Sequence, residues 1–123
     1  MSGKPDNNLY FQIYEETDSY AHLILSNIFS ETKNSDEVYE NSTKLILDMD
    51  KNIVIDLREN VYVGKSMLAF LVNLDCHLRK NGFSVVLMSL KNRVLALLEW
   101  MNLDKTIKHI RSSEKLFLAF EKS

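Results

Sequence analysis

A carboxylate and a hydroxyl flank one predicted strand-to-helix junction in this sequence. Asp56 lies near the end of the short apolar run Ile53–Leu57. Gly64, Lys65 and Ser66 follow that run after a short loop. The first turn of a helix carries unpaired N–H groups and the positive end of the helix dipole, so chemistry and recognition concentrate there. We therefore expect the function of the chain to lie at the start of the helix that begins near Lys65.

The other chemically capable side chains do not form a catalytic arrangement. The three histidines lie on three different predicted elements and lack metal-ligand spacing. Cys76 and His77 are adjacent on a predicted helix, so their side chains diverge by about 100° and do not form a nucleophile–base pair. Asp56 is interpreted as a cap for the loop that follows it. With three glycines and no phosphate-binding loop, we expect no metal and no cofactor. We also expect no enzyme, although a closed polar pocket around Asp56 and His77 would favour an enzyme as a third hypothesis.

Composition indicates a single globular domain suited to the cytoplasm. A chain of 123 residues can bury a core without disulfides. The net charge of −2 argues against nucleic acid as a partner, because phosphate binding needs a basic face. No apolar run approaches the length of a membrane span, and no signal peptide is recognisable. The single cysteine, Cys76, suits a reducing compartment.

Alternating strand and helix patterns predict an α/β fold. Residues 1–8 are expected to form a flexible tail, and residues 9–123 a single domain. A hairpin opens the domain, and strands and helices then alternate. This order implies a mixed, mostly parallel sheet with an antiparallel hairpin at its start, flanked by about four helices. The predicted strands are Leu9–Glu16, Tyr20–Leu25, Ile53–Leu57, Val85–Met88 and Ile107–Ile110, and the predicted helices begin near Asn34, Lys65, Lys91 and Glu114.

The spacing of apolar residues predicts which helix faces are buried. The expected inward residues are Val38, Tyr39, Ser42, Leu45 and Ile46 in the first helix and Leu68, Leu71, Val72, Leu74 and Leu78 in the second. The second helix is expected to expose Asn73, Asp75, His77 and Lys80 and to end at Gly82 in a left-handed conformation. Trp100 lies off the inward stripe of its helix. It either anchors a partner or packs under the last helix with Phe117 or Phe120.

The strand–loop–helix unit resembles the STAS domain, the module shared by bacterial anti-sigma-factor antagonists and the cytoplasmic tails of sulphate transporters. In that family a strand ends in Asp-Leu, and after a short loop Asp-Ser-Ser-Gly-Leu opens a helix. Here Asp56 and Leu57 are followed at the matching distance by the run Gly64–Leu68. Later segments around Gly82 and Val94 also correspond. The resemblance covers nearly the whole chain from Leu9 and implies a STAS-like fold.

The chain departs from the family pattern at the regulatory residues. In phosphorylated members, the first serine of the motif accepts phosphate from a partner kinase, and two aspartates lie beside it. At these positions the chain has Lys65 for the serine and Gly64 and Ser30 for the aspartates. Met67 replaces the motif glycine, and Ser66 keeps a hydroxyl that could be a displaced phosphate acceptor. The resemblance therefore implies a partner-binding surface at these five residues that has lost its usual acceptor.

Two explanations of Lys65 stay open. A lysine at a helix N-terminus costs about 0.3–1 kcal/mol, which a surface position tolerates, so drift after loss of regulation is sufficient. Alternatively, Lys65 meets an acidic group, either on a partner or on this chain at Glu31 or Glu59.

The resemblance implies a cytoplasmic regulator that binds another protein. The implied partner is an anti-sigma factor or a histidine-kinase-like ATPase, held through the loop before Lys65 and the exposed side of its helix. The alternative is a STAS subunit of an ABC-type lipid transport complex that binds the transporter ATPase. Phosphorylation at position 65 is not expected. The exposed edge of the hairpin could also pair with a second copy of the chain, which would make a homodimer.

Overall fold

The computed structural model describes residues 11–26, 35–60, 62–103 and 105–110. These residues form five strands and three helices, which confirms the α/β fold class. The elements are β1 (Phe11–Glu16), β2 (Tyr20–Leu25), α1 (Ser35–Leu47), β3 (Asn52–Asp56), α2 (Lys65–Lys80), β4 (Val85–Met88), α3 (Asn92–Trp100) and β5 (Lys108–Ile110). The bounds of the strands and the starts of these helices lie within one or two residues of the predicted ones. The predicted tail and the helix predicted near Glu114 lie outside the described residues.

The five strands form one sheet in the order β1-β2-β3-β4-β5. β1 pairs antiparallel with β2, and the other neighbours pair in parallel. The carboxyl ends of β2, β3 and β4 therefore meet at one edge of the sheet, which is called the carboxyl edge below. A hydrogen bond of 2.9 Å from Lys91 Nζ to the carbonyl oxygen of Arg58 joins the loop after β4 to the loop after β3. The start of α2 lies at this edge.

The core has a larger and a smaller part on opposite faces of the sheet, because successive strand residues point in opposite directions. The larger cluster includes Leu23, Ile55 and Leu87 from the strands and all three helices. The smaller cluster contains Val54, Val86 and Met88, with Tyr20 and Ile110 packed against it. Burying an aliphatic side chain of this size stabilises a fold by about 1.5–3 kcal/mol. The larger cluster therefore fixes α2 against the sheet.

Several predicted helix faces need correction. Leu45, predicted inward, is 37% exposed, while its neighbour Ile46 is fully buried. Asp75, predicted outward, is only 5% exposed and forms an ion pair of 3.0 Å with Arg79. Burial raises the pKa of Asp75, and Arg79 opposes that rise. α2 packs against α1 as well as against the sheet, so its buried face is wider than a one-sided stripe.

Two helix ends test other predictions from the sequence. Gly82 has a φ of 85°, and the N–H groups of Gly82 and Phe83 are donated to the carbonyl oxygens of Arg79 and Leu78, as predicted for the end of α2. Trp100 is 82% exposed at the end of α3. Its role as a partner anchor stays a prediction. Its predicted packing partners, Phe117 and Phe120, lie outside the described residues.

β1 forms one edge of the sheet and carries features that discourage pairing with another strand. Its register is interrupted between Ile13 and Glu15 by a bulge. Glu16 forms an ion pair of 2.9 Å with Lys51, and Glu15 accepts a hydrogen bond from the Tyr20 hydroxyl. Bulges and charged side chains are common protections of edge strands. The homodimer through this edge stays a prediction.

Candidate functional site

A buried carboxylate, Asp56, organises the carboxyl end of β3. Its Oδ1 accepts the backbone N–H of Arg58 at 3.0 Å, as expected for a side chain that caps the following loop. Its Oδ2 accepts hydrogen bonds from Arg58 Nε at 3.0 Å and Nη2 at 2.6 Å. His22 Nε2 lies 2.8 Å from the same Oδ2 atom. The prediction that Asp56 caps the following loop is confirmed. The same carboxylate also contacts the buried His22.

The surroundings of Asp56 keep its carboxylate ionised. Burial by itself would raise the pKa of Asp56. Hydrogen bonds from Arg58, His22 and the Ser89 hydroxyl outweigh that effect and hold the pKa below its ordinary value. A carboxylate of this kind is a fixed acceptor at neutral pH and is poorly suited to carry protons. Its contacts join β2, β3 and the residue after β4, so the network holds the carboxyl edge together.

Aromatic and cationic groups cover this network. The Tyr14 ring lies 4.8 Å from the His22 ring, measured between centroids. The Arg58 guanidinium lies 5.1 Å from the centroid of the Tyr14 ring, within cation–π range. Sequence reasoning treated His22 as an isolated histidine. The sequence does not reveal the register between β2 and β3. This register places His22 of β2 beside Val54 of β3, two residues before Asp56.

The loop between β3 and α2 is held by Asn60. This side chain is 1% exposed, and its Nδ2 donates to the carbonyl oxygen of Leu25 at 3.1 Å. Its backbone N–H donates to the carbonyl oxygen of Leu57 at 2.9 Å. Asn60 therefore fastens the loop to the end of β2. Ser30, the predicted site residue beyond that end, lies outside the described residues.

The four described site residues divide between surface and core. Gly64 precedes α2 with extended backbone (φ −91°, ψ −176°) and provides no side-chain cap. Lys65 and Ser66 are exposed in the first turn of α2. Met67 is fully buried in the larger cluster, so it packs in the core and does not reach a partner. The expected surface at the start of α2 is therefore reduced to Gly64, Lys65 and Ser66 among the described residues.

The charge of Lys65 is not balanced nearby. In the described part of the chain Lys65 forms no ion pair, so Glu59 is not its partner. Glu31, the other predicted partner, lies outside that part. The first turn of α2 also contains no acidic residue. The ammonium group therefore adds positive charge to the positive end of the helix dipole.

The exposed side of α2 forms a groove with α1. The groove has a volume of about 510 Å³ and begins beside Ser66. Tyr39 and Phe70 lie at its base with their rings stacked at 5.2 Å, and Ala69 and His77 also line it. Asp56 is not among the lining residues, so the groove does not combine His77 with Asp56 as an enzymatic pocket would.

The described residues contain no group of three or more His, Cys, Asp or Glu side chains that could hold a metal ion. None of the described helices has the length and apolar character needed to cross a membrane.

Comparisons with known proteins agree with this architecture. The family model of the STAS domain matches residues 13–117. A proposed anti-sigma factor antagonist from Thermotoga maritima has a similar structure, with a TM-score of 0.70, 18% identity and coverage of 95% of this chain and 98% of that one. A STAS domain protein from Planctomyces limnophilus gives a TM-score of 0.73 at 13% identity, with 90% and 97% covered. A variant of RsbS from Moorella thermoacetica gives 0.70 at 16% identity, with 92% and 96% covered.

At these identities the structural similarities show the fold. None of the curated protein sequences compared with the chain matches it significantly. The family model covers most of the sequence, from the bulged strand β1 past the end of β5. The chain belongs to the STAS domain family.

Proposed function

We propose that this protein is a non-enzymatic regulator that binds another protein through the start of α2 and the exposed side of that helix. The observation that carries the proposal is the surface position of Lys65 and Ser66 where the groove between α1 and α2 begins. The Asp56 network and Asn60 support it, because they hold the preceding loop in one conformation. A fixed loop reduces the entropy lost on binding.

The proposed partner is an anti-sigma factor or a histidine-kinase-like ATPase in the cytoplasm. Structural neighbours described as anti-sigma factor antagonists support this class of partner. Position 65, where phosphorylated members of the family have their acceptor serine, carries an ammonium group. Partner binding would then not depend on dephosphorylation at this position. Its regulation would come from expression, from competition or from the state of the partner.

Affinity capture from an extract of the source organism tests where the partner binds. The baits are the wild-type protein, Ala69→Trp in the groove and Lys105→Glu, which lies between α3 and β5 and away from the groove. Quantitative mass spectrometry compares the captured proteins. Ala69→Trp should reduce capture of the main partner by about tenfold or more, because the indole fills the groove where the partner packs. Lys105→Glu should capture as the wild type does. Equal capture by Ala69→Trp and wild type, with both folded by circular dichroism, would place the interface elsewhere.

The identity of the captured protein separates the two candidate functions. A soluble ATPase kinase or sigma-factor regulator supports the leading proposal. An ATPase of an ABC-type lipid transporter supports the alternative, in which the chain is a subunit of a transport complex.

A further inference from the structure

Three cations lie where α2 and α3 begin at the carboxyl edge. Lys65 is the first residue of α2, Lys91 immediately precedes α3, and Arg93 lies in the first turn of α3. These three residues are called the basic corner below. Both helices pack on the same face of the sheet, through Met67 in α2 and Val94 in α3. The two helix starts therefore lie at the same edge of the sheet, and the hydrogen bond from Lys91 Nζ to the carbonyl oxygen of Arg58 joins the loops that precede them.

The basic corner has an excess of positive charge. None of its three cations forms an ion pair within the described residues. In the described parts of the loops that precede α2 and α3, Glu59 is the one exposed carboxylate. Arg58 adds no net charge, because it is paired with the buried Asp56. This excess lies in a chain whose net charge is −2, so positive charge is concentrated here.

Both helix starts lack negative charge. α2 and α3 have no acidic residue in the first turn, and neither Gly64 nor Lys91 provides a side-chain cap. Helix N-termini favour anions, and here each helix start carries cations. An incoming carboxylate would be attracted by both. Tyr62 is 66% exposed and packs beside Gly64, so it offers aromatic contact area next to the charges.

We infer that the basic corner binds an acidic segment of the partner protein, with carboxylates facing Lys65, Lys91 and Arg93. This inference rests on the proposed function, since it specifies the chemistry of the partner at that surface. Of the two explanations of Lys65, it favours contact with an acidic group on a partner over drift after loss of regulation. The replacement of a phosphorylated serine and its two aspartates has then changed the sign of the surface as well as removing the acceptor.

An NMR titration of the ¹⁵N-labelled protein tests the chemistry directly. The probes are a soluble peptide rich in Glu and the same peptide with every Glu replaced by Gln. The Glu peptide should shift the amide signals of Tyr62, Lys65 and Arg93, and raising the salt concentration should weaken its binding. The Gln peptide should leave those signals in place. Equal shifts with both peptides, or shifts confined to other surfaces, would overturn the inference.

Two variants with the same change in net charge serve as test and control. Lys65→Glu combined with Arg93→Glu should weaken binding of the Glu peptide by about tenfold or more. Lys80→Glu combined with Lys105→Glu, away from the two helix starts, should leave it within about twofold. An equal loss in both double variants would contradict the inference. A phosphorylated peptide that binds the corner when the Glu peptide does not would identify a phosphate receptor and would also overturn it.

The failure of this inference is distinguishable from the failure of the proposed function. If Ala69→Trp loses the partner and the Lys65→Glu, Arg93→Glu variant retains it, the surface binds a partner whose contacts are not acidic. If Ala69→Trp retains the partner, the proposed interface itself is wrong.

Discussion

Replacing Asp56 with alanine should lower the free energy of unfolding by about 2–4 kcal/mol, because it removes a buried carboxylate that accepts hydrogen bonds from His22 and Arg58. The variant leaves His22 buried beside an empty site, and Arg58 loses both of its side-chain hydrogen bonds to the carboxylate. The total free energy of unfolding of a globular domain is about 5–15 kcal/mol, so this variant would lose a large part of its stability. Urea unfolding followed by circular dichroism measures the change.

The exposed ion pair between Glu16 and Lys51 provides the matched control. Both side chains are partly exposed, so Glu16→Ala should cost less than about 1 kcal/mol. A loss below 1 kcal/mol for Asp56→Ala as well would show that the buried network does not hold the carboxyl edge together.

The stability lost in Asp56→Ala should also depend on pH. The pKa of Asp56 is lower in the folded protein than in the unfolded chain, where it is about 3.9. Its contribution to stability is therefore fully present above the unfolded pKa and is lost as the pH falls through the folded pKa. The difference in stability between wild type and Asp56→Ala should be constant near pH 7 and should narrow below about pH 4. A constant difference throughout would contradict the assignment.

Restoring the family glycine at position 67 should be at least as damaging as Asp56→Ala. Met67 is fully buried, and removing a methionine side chain from a core costs about 2–5 kcal/mol. Glycine within a helix costs about 1 kcal/mol more than alanine. Met67→Gly should therefore lose about 3–6 kcal/mol in urea unfolding.

The adjacent motif positions are the controls for Met67→Gly, because they lie at the surface. Lys65→Ser should change the stability by less than about 1 kcal/mol. Gly64→Asp should be neutral or stabilise by up to about 1 kcal/mol, since aspartate caps helices well. Its Cβ would lie 3.1 Å from the exposed ring of Tyr62, which can move by the small distance needed. A loss below about 1 kcal/mol for Met67→Gly would show that its burial is unimportant.

The sequence determined the element order well because periodicity and turn residues are local signals. The apolar run before Leu57 gave β3 to within one residue, and Gly82 gave the end of α2. The burial of a side chain was less predictable where two different elements pack against its helix. Met67 and Asp75 are buried because α2 packs against both α1 and the sheet, which a one-sided stripe does not reveal.

The sequence predicted where the candidate site lies, but it did not predict the contacts between elements that form it. The family motif located Lys65 and Ser66 at the start of α2. The contact of His22 with Asp56 depends on the register of two strands whose residues are 34 apart in the sequence. No local pattern encodes that register. The charges at Lys91 and Arg93 also became part of the site only when the parallel sheet placed the starts of α2 and α3 at one edge.

The central claim is that this surface binds its partner without a phosphorylation switch. Intact mass spectrometry of the purified protein, after incubation with cell lysate and ATP, tests it most directly. We expect an unmodified mass. A single added phosphate located on Ser66 would contradict it, since the hydroxyl one residue after Lys65 would then be the acceptor.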